Sequence, residues 1–193
     1  MGEGVLAVEG VTLREIAGAA GTPVYVYSAG RIREQYRALS AALAPVRHRI
    51  CYSVKANGNL AILALMKSLG AGVDIVSSGE LARALTAGFT GADVVFSGVG
   101  KTADEMRAAL AAGVGMINVE SEEELAALAA VAQGTGAVAS VAIRVNPEVA
   151  VDTHPYTTTG TRGKKFGVPF DEAEELAFRA SRTPGLALIG LAM

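Results

Sequence analysis

The sequence predicts an α/β protein that folds as a (β/α)8 barrel of the TIM type, present here as an incomplete barrel of about six βα units. From Arg49 onward, short β-rich runs alternate with Ala-, Leu- and Glu-rich segments of helical period, the order expected of parallel strands joined by helices. The first five runs begin at residues 49, 72, 93, 115 and 140. Such even spacing favours a barrel over a doubly wound sheet, which would more often carry a Gly-rich phosphate turn after its first strand.

The segment before Arg49 does not fit this repeating unit. Residues 4–28, GVLAVEGVTLREIAGAAGTPVYVYS, predict a short strand, a small helix and a second short strand that ends at Tyr27. A further helix is predicted over residues 29–43. Because a barrel that begins near residue 49 has no place for the opening strand, we expect residues 1–27 to pair with a second domain and residues 28–193 to form the partial barrel.

The predicted barrel strands are RICYSV (49–54), GVDIVSS (72–78), DVVFSG (93–98), GMINVES (115–121), SVAIRVN (140–146) and LALIGLAM (186–193). Capping boxes mark three of the helix starts, at Ser77-x-x-Glu80, Thr102-x-x-Glu105 and Ser121-x-x-Glu124. A complete barrel has eight strands and about 250 residues. A sheet that stops in the sixth strand would leave an open edge, so we expect either a fragment or another element that closes the gap.

Composition and charge limit the classes of partner. The chain is 51% hydrophobic and 19% charged, with a formal net charge of -2 and no long basic or acidic block, so it has no electrostatic pattern for nucleic acid or an anionic membrane surface. A small-molecule partner is therefore expected. The sequence contains neither an uninterrupted run of 18 apolar residues nor a basic leader followed by an apolar stretch, which predicts a cytoplasmic protein.

Sulfur and imidazole ligands are scarce in this chain. Cys51 is the one cysteine; it cannot form an intrachain disulfide, and its apolar neighbours predict a buried, unreactive thiol. The two histidines are His48 and His154. This set is too small for a transition-metal site built from protein ligands alone.

Residues at the carboxyl ends of barrel strands are the candidates for chemistry, because sites in such barrels lie at that end. The strands thereby select Lys55, then Asp74 with Ser77 and Ser78, then Glu120, and then Arg144 with Asn146. Tyr25, Tyr27 and Tyr52 are expected to pack in the core or at its rim. Glu80 is expected to serve only as a helix cap.

Lys55 ends an apolar run in CYSVKANGNL, residues 51–60. A lysine at a barrel mouth with apolar neighbours can lose its proton more easily than a solvated one and act as a nucleophilic amine. Such an amine forms Schiff bases with carbonyl compounds, either with a substrate directly, as in an aldolase, or with pyridoxal phosphate (PLP). A solvated lysine at a strand end is the alternative.

Asp74 and Arg144 are the charged candidates near Lys55. Asp74 is either a buried partner for the amine or an ordinary strand-end carboxylate. Arg144 lies in SVAIRVNP, where a buried charge would need a partner, so an anion or a polarised cofactor oxygen is a candidate partner. The loop over residues 147–170 carries the threonine run 157–159, Gly160 and Gly163, and Lys164 and Lys165; it suits either a loop near an anionic ligand or a flexible surface excursion. His154, in the same loop, is more typical of a loop or interface residue than of a general base.

Several strings along nearly the whole chain resemble motifs of the alanine-racemase-like, or group IV, PLP-dependent decarboxylases. YSVKAN (52–57) resembles the cofactor-lysine motif of that family. The family's order continues with GAGVDIVSSGEL (70–81), FSGVGKTADEM (96–106), INVESEEEL (117–125), IRVNP (143–147), HPYTTTG (154–160) and KKFG (164–167). The Val-Lys-Ala-Asn form and the loop ending in Gly167 look most like the members that act on meso-2,6-diaminopimelate.

The resemblance implies a PLP-binding barrel, a C-terminal β-domain and a homodimer with active sites at the subunit interface. It also implies that Lys55 carries PLP as a Schiff base, that Asp74 lies beside it, and that Arg144 lies near the phenolic oxygen of the cofactor. The implied reaction is decarboxylation of meso-2,6-diaminopimelate to L-lysine and carbon dioxide, the last step of lysine biosynthesis.

Other hypotheses about the function stay open. The family continues after GLAM with a histidine that stacks on the cofactor, a Gly-rich phosphate loop, an acidic partner for the pyridine nitrogen and a cysteine-containing segment. We therefore expect the 193 residues to be an incomplete or inactive fragment. The alternatives are another decarboxylase of the family, acting on ornithine, arginine or carboxynorspermidine, a PLP-free Schiff-base aldolase, and a PLP-binding protein without catalytic activity.

Overall fold

The computed structural model of the chain describes residues 5–147 and 166–193. By its internal contacts the chain divides into two compact units, Met1–His48 and Arg49–Met193. The boundary lies just before the first predicted barrel strand. Each unit has its own secondary structure.

The first unit consists of a small hairpin and two helices. Strands β1 (Ala7–Val8) and β2 (Val11–Thr12) pair antiparallel, and helices α1 (Leu13–Ala20) and α2 (Ala29–Ala42) follow. Thr12 caps α1 in a complete capping box with Glu15, so side chains satisfy both exposed amides at this helix start. The opening strand predicted from the sequence is thus a hairpin of two very short strands.

The predicted strand ending at Tyr27 is wrong. Residues 23–27 belong to no strand, and Tyr25 is 89% exposed, with Tyr27 57% exposed. The run has the β-branched and aromatic composition of a strand, but a strand also needs a neighbouring backbone, and none of the described residues pairs with it. Tyr25 and Tyr27 therefore pack in no core here, contrary to the expectation, whereas Tyr52 is half-buried.

The second unit alternates strands and helices. Its elements are β3 (Cys51–Ser53), α3 (Leu60–Ser68), β4 (Gly72–Ile75), α4 (Ser78–Thr86), β5 (Val94–Phe96), α5 (Ala103–Ala111), β6 (Met116–Val119), α6 (Glu122–Thr135), β7 (Ala139–Asn146), β8 (Val168–Pro169), α7 (Phe170–Arg182) and β9 (Leu186–Ala192). The strands form one parallel sheet in the order β3-β4-β5-β6-β7, and β7 pairs further with β8 near its end and with β9 along most of its length.

This sheet confirms the predicted fold class, an incomplete (β/α) barrel. All six predicted barrel strands are present, and each helix between them returns the chain to the start of the next parallel strand. The pairing of β7 with β9 contains a register shift between Val141 and Ala142, so β9 carries a bulge at this point. The short β8 is the one strand of the sheet that the sequence did not predict.

The core lies between the sheet and the helices, and alternate side chains of the strands pack into it. Val73 and Ile75 on β4 and Ile117 and Val119 on β6 are completely or almost completely buried. Leu63, Leu128 and other helix residues supply the opposite side of this core. Because strand side chains alternate between faces, the residues between them, such as Asp74, lie on the other face, toward the barrel interior.

The helix starts correspond only partly to the predicted capping boxes. Thr102 and Glu105 form a complete box, whereas Ser77 and Ser121 receive the expected amide bonds but their glutamates do not bond back to them. Glu80 accepts instead from the amide of Val76 and Glu124 from the amide of Glu120, each one residue earlier. The two serines are fully extended, with φ of -159° and -156°, while Thr102 has φ of -78°; the extended backbone presents the preceding amide to the glutamate.

A charged cluster joins elements at the amino end of the sheet. The Asp93 carboxylate accepts from Arg49 at 2.6 Å, from Lys67 at 2.7 Å, and from the amide and hydroxyl of Thr90. The Lys67 ammonium and the Thr90 amide hold the pKa of the Asp93 carboxyl well below its ordinary value of 3.8. This end of a barrel is associated with stability rather than catalysis.

We expect Asp93→Asn to lower the free energy of unfolding by about 1–2 kcal/mol at neutral pH, because it removes two charge-assisted bonds whose cations are partly solvated. A lowered folded-state pKa stabilises the protein above pH 3.8 and loses that contribution as the pH falls below it. Urea denaturation of both proteins at neutral and acid pH measures this. A difference that persists unchanged in acid would contradict the assignment.

Candidate functional site

A cavity of about 620 Å³ opens at the carboxyl ends of the strands. Each of β4, β6, β7 and β9, the turn after β3 and the segment after β5 contributes to its wall. The lining residues are Lys55, Asp74, Val76, Ser97, Gly98, Val99, Gly100, Glu105, Asn118, Arg144, Phe166, Ala192 and Met193. Three sequence-predicted candidates, Lys55, Asp74 and Arg144, therefore lie around one space.

Lys55 reaches this cavity from a short 3-10 turn, Val54–Ala56, that directly follows β3. Val54 is buried and Lys55 is exposed, because successive side chains of the turn point in different directions. The apolar surroundings expected from the sequence thus belong to Val54 rather than to Lys55. Within the described part of the chain, no hydrogen bond or ion pair occupies the Lys55 ammonium.

Asp74 is engaged by hydroxyl groups and not by Lys55. Its carboxylate accepts from Ser97 Oγ at 2.6 Å and from Ser53 Oγ at 3.2 Å. Ser97 Oγ in turn accepts from Asn118 Nδ2 at 2.9 Å. A polar chain thus crosses the ends of β3, β4, β5 and β6, and it leaves the Lys55 amine available to another group.

Arg144 is held on both sides. It donates to Glu120 Oε1 at 2.8 Å, and its guanidinium carbon lies 5.3 Å from the centre of the Phe166 ring, within the range of a cation–π contact. The Gly98 amide donates to the same Glu120 oxygen at 2.8 Å. Gly98 has φ of +106°, a conformation that favours glycine.

Acidic groups make up the rest of the charge at this site. Glu105 lines the cavity, and the amides of Thr102 and Ser78 hold the pKa of its carboxyl below the ordinary value. Two buried acceptor atoms have no hydrogen-bond partner among the described residues, Asn118 Oδ1 and Glu120 Oε2. Buried polar atoms normally have partners, so these two oxygens keep an unused capacity to accept hydrogen bonds close to the cavity wall.

The remaining predicted candidates do not line the cavity. Ser77 caps α4, Ser78 donates its amide to Glu105, and Asn146 is buried on β7. Glu120 acts through Arg144 and Gly98. The predicted roles of residues 148–165, including His154 and both Lys164 and Lys165, lie outside the described residues.

Sequence reasoning missed Ser97, Asn118 and Glu105. Ser97 directly follows β5, so the rule of strand ends could have found it. Asn118 is a polar residue between Ile117 and Val119, and alternation alone places it on the interior face. Glu105 has no such signal, because its position depends on how α5 begins next to Ser78.

Comparison with known proteins identifies the family. Residues 29–193 match the pyridoxal-binding domain of the pyridoxal-dependent decarboxylases. The chain belongs to this family. The resemblance drawn from the sequence motifs, and with it PLP as the cofactor, is confirmed.

Relatives within the decarboxylase family are similar over nearly all of the chain. Diaminopimelate decarboxylase of Pseudomonas aeruginosa is 53% identical over 186 residues, which are 96% of this chain and 45% of that protein. The chain thus spans about half the length of the curated relatives it matches. The crystal structure of Helicobacter pylori diaminopimelate decarboxylase complexed with L-lysine superposes with a TM-score of 0.88 at 39% identity, covering 92% of this chain and 45% of that one.

A decarboxylase named for another substrate shares the same fold. Lysine decarboxylase of Selenomonas ruminantium superposes with a TM-score of 0.79 at 25% identity, covering 97% of this chain and 46% of that one. Similarity to the Helicobacter pylori diaminopimelate decarboxylase is higher in both TM-score and identity. The barrel itself is therefore common to decarboxylases with different names.

Cys51 carries the one thiol of the sequence, and this residue is half-buried. Burial raises the pKa of the Cys51 thiol, which disfavours the reactive thiolate. No group of three His, Cys, Asp or Glu residues close enough to hold a metal ion occurs in residues 5–147 and 166–193. Over the same residues, no helix has the length and apolar character needed to cross a membrane.

We expect Ser97→Ala to lower the free energy of unfolding by about 2 kcal/mol, because it removes a short bond to a carboxylate and leaves the buried Asn118 amide without its acceptor. Ser53→Ala is the matched control; it removes one longer bond to the same carboxylate and is expected to cost less than about 1 kcal/mol. Chemical denaturation measures both. Equal losses would contradict the proposed continuity of the polar chain.

Proposed function

We propose that this chain is the cofactor-bearing part of a diaminopimelate decarboxylase, which converts meso-2,6-diaminopimelate to L-lysine and carbon dioxide, and that Lys55 is the residue to which PLP attaches. One observation carries the proposal. Lys55 presents a primary amine without a partner among the described residues to a cavity of about 620 Å³ at the carboxyl ends of the strands. Sites of this barrel type lie at that end.

The residues around the cavity fit PLP. When bound, PLP supplies an aldehyde for attachment to an amine and an electron-poor ring that takes up the electrons left by departing carbon dioxide. The cavity volume lies within the range of small-molecule sites, about 300–1,000 Å³. Lys55 supplies the amine, and Arg144 supplies a cation with directed donors for an anionic oxygen. Asn118 is a further polar residue of the cavity wall.

In this proposal Lys55 attaches the cofactor, and Asp74 and Arg144 orient it. Lys55 is free to form a covalent bond because Asp74 is occupied by Ser53 and Ser97. The Asp74 carboxylate, fixed on β4 at the same cavity, provides negative charge that favours a protonated nitrogen nearby. Glu120 and Phe166 restrain the Arg144 side chain. Its guanidinium can therefore hold a cofactor oxygen without changing its own position when the cofactor binds.

The substrate is proposed from the relatives. The chain is 53% identical to a protein named diaminopimelate decarboxylase, and a neighbour of that name was solved with L-lysine, the product of the proposed reaction. A lysine decarboxylase of the same fold, at 25% identity, makes lysine the second candidate substrate. Ornithine, arginine and carboxynorspermidine remain alternatives within the family, as does a PLP-binding protein without turnover.

The wider context of the chain is proposed on the same basis. We propose a homodimeric enzyme of the cytoplasm, in which residues 1–27 pair with a further β-domain and residues 28–193 form the PLP-binding barrel. The support is the family membership, the single free thiol of Cys51, and the run of exposed apolar residues from Val24 to Tyr27. Sedimentation of the intact enzyme tests the dimer.

Lys55→Ala is expected to abolish covalent attachment of PLP, because alanine has no amine. The 193-residue chain is incubated with PLP and reduced with borohydride, and the modified peptide is located by mass spectrometry. In the unchanged chain the label should lie on Lys55, and the absorbance band of the bound cofactor should disappear in the variant.

Lys67→Arg is the matched control, since it keeps a cation beside Asp93 and removes a lysine at the opposite end of the sheet. Its labelling should equal that of the unchanged chain. Labelling of another lysine in place of Lys55, or undiminished labelling of Lys55→Ala, would exclude the assignment. If borohydride instead traps a carbonyl substrate on Lys55 in the absence of PLP, the result would support the aldolase alternative.

Turnover is measured on a chimera, because the chain spans about half the length of its relatives. Residues 1–193 replace the matching part of the Pseudomonas aeruginosa enzyme, and carbon dioxide release is compared for meso-2,6-diaminopimelate, lysine, ornithine and arginine. We expect release from meso-2,6-diaminopimelate, and its loss by at least about 10³-fold in Lys55→Ala, as for removal of a covalent catalyst. A chimera that binds PLP but acts on none of these substrates would contradict the proposed reaction.

A further inference from the structure

Lys101 has a buried side chain just behind the cavity wall. Its side chain is 1% exposed, and its ammonium donates to three acceptors: Glu124 Oε1 at 2.5 Å and the carbonyl oxygens of Gly98 and Asn118, each at 2.7 Å. The Glu124 side chain is only 9% exposed. Lys101 does not line the cavity, but Gly98 and Asn118 do.

A buried ion pair needs an explanation beyond stability. Removing two charges from water is costly, and well-packed apolar side chains in their place are often equally stable or more so. Here burial raises the pKa of the Glu124 carboxyl above its ordinary value, although Lys101 acts in the opposite direction. What distinguishes this pair is its connections, because each partner also bonds to the ends of strands that form the site.

Three hydrogen bonds lead from Lys101 to Arg144, by way of Glu124 and Glu120. Lys101 joins the carbonyl of Gly98, after β5, to the carbonyl of Asn118, on β6. Glu124 accepts from the Glu120 amide at 3.1 Å, and the Glu120 carboxylate accepts from both the Gly98 amide and Arg144. The loop after β5, the end of β6 and the Arg144 side chain therefore depend on one another.

We propose that Lys101 is a positioning residue for the cofactor site: by joining β5, β6 and Glu124, it keeps Glu120 where it holds the Gly98 amide and the Arg144 guanidinium toward the cavity. This inference rests on the proposed function, because it assigns Lys101 to the site that would bind PLP. Lys101 itself touches neither the cavity nor a bound group.

The test separates positioning from stability with two variants of the 193-residue chain. Lys101→Met leaves the Glu124 charge buried and alone and should lower the thermal unfolding midpoint strongly. The double variant Lys101→Met/Glu124→Gln buries no charge and should recover much of that midpoint. Its PLP affinity, measured by titration of the cofactor absorbance, should nevertheless stay about tenfold weaker than that of the unchanged chain. This is the lower end of the loss seen in metal sites when a residue that orients a ligand is removed.

Hydrogen exchange supplies a readout that needs no cofactor. In the unchanged chain, the Gly98 amide is bonded to Glu120, and in the double variant we expect it to exchange faster at equal global stability. Lys67→Met is the control, because it breaks an ion pair of 2.7 Å at the opposite end of the sheet. It should lower the midpoint without changing PLP affinity or Gly98 exchange.

The outcomes are distinct. Normal affinity and normal Gly98 protection in a stable double variant would overturn the proposal and leave Lys101 a structural residue. If the unchanged chain attaches no PLP at Lys55, the proposed function fails, and Gly98 exchange alone then decides whether Lys101 positions the wall. Should the double variant not fold, Lys101→Gln, which keeps a donor for Glu124 but cannot reach all three acceptors, is judged by the same two measurements.

Discussion

The alternation of side chains along parallel strands is the constraint on which the rest of this structure depends. Helices cover one face of the sheet, so residues such as Val73, Ile75, Ile117 and Val119 must be apolar. The intervening residues are then directed to the opposite face, whatever their chemistry. Because the strands are parallel, their carboxyl ends meet, and Asp74 and its polar neighbours are collected there without any long loop to carry them.

The two ends of the sheet use charge for different purposes. At the amino end, the Asp93 carboxylate accepts hydrogen bonds from Arg49, Lys67 and Thr90, and so connects separate segments of the barrel unit. At the carboxyl end, Lys55 has no partner among the described residues, and buried acceptors on Asn118 and Glu120 stay unfilled. An unsatisfied polar atom is costly in a protein interior, and among the described residues the two buried side-chain oxygens without partners lie at this end of the sheet.

Much of the fold could be predicted from the sequence, because periodicity and helix caps are local properties. The six barrel strands and the convergence of Lys55, Asp74 and Arg144 follow from strand order alone. The prediction of a strand ending at Tyr27 was wrong, because the composition of a segment does not show whether a neighbouring strand is there to pair with it. Lys101 and Glu124 were also beyond reach: Ser121-x-x-Glu124 predicts a capping box, and only the tertiary structure reveals that Glu124 turns to a lysine 23 residues away.

The polar chain at the strand ends has a direction. Asn118 donates to Ser97, and Ser97 donates to Asp74. Since a carboxylate only accepts, the negative charge on β4 determines which way the Ser97 hydroxyl points and, through it, that the nitrogen of the Asn118 amide faces Ser97. The Asp74 carboxylate thus fixes the orientation of a side-chain amide two strands away, before any molecule enters the cavity.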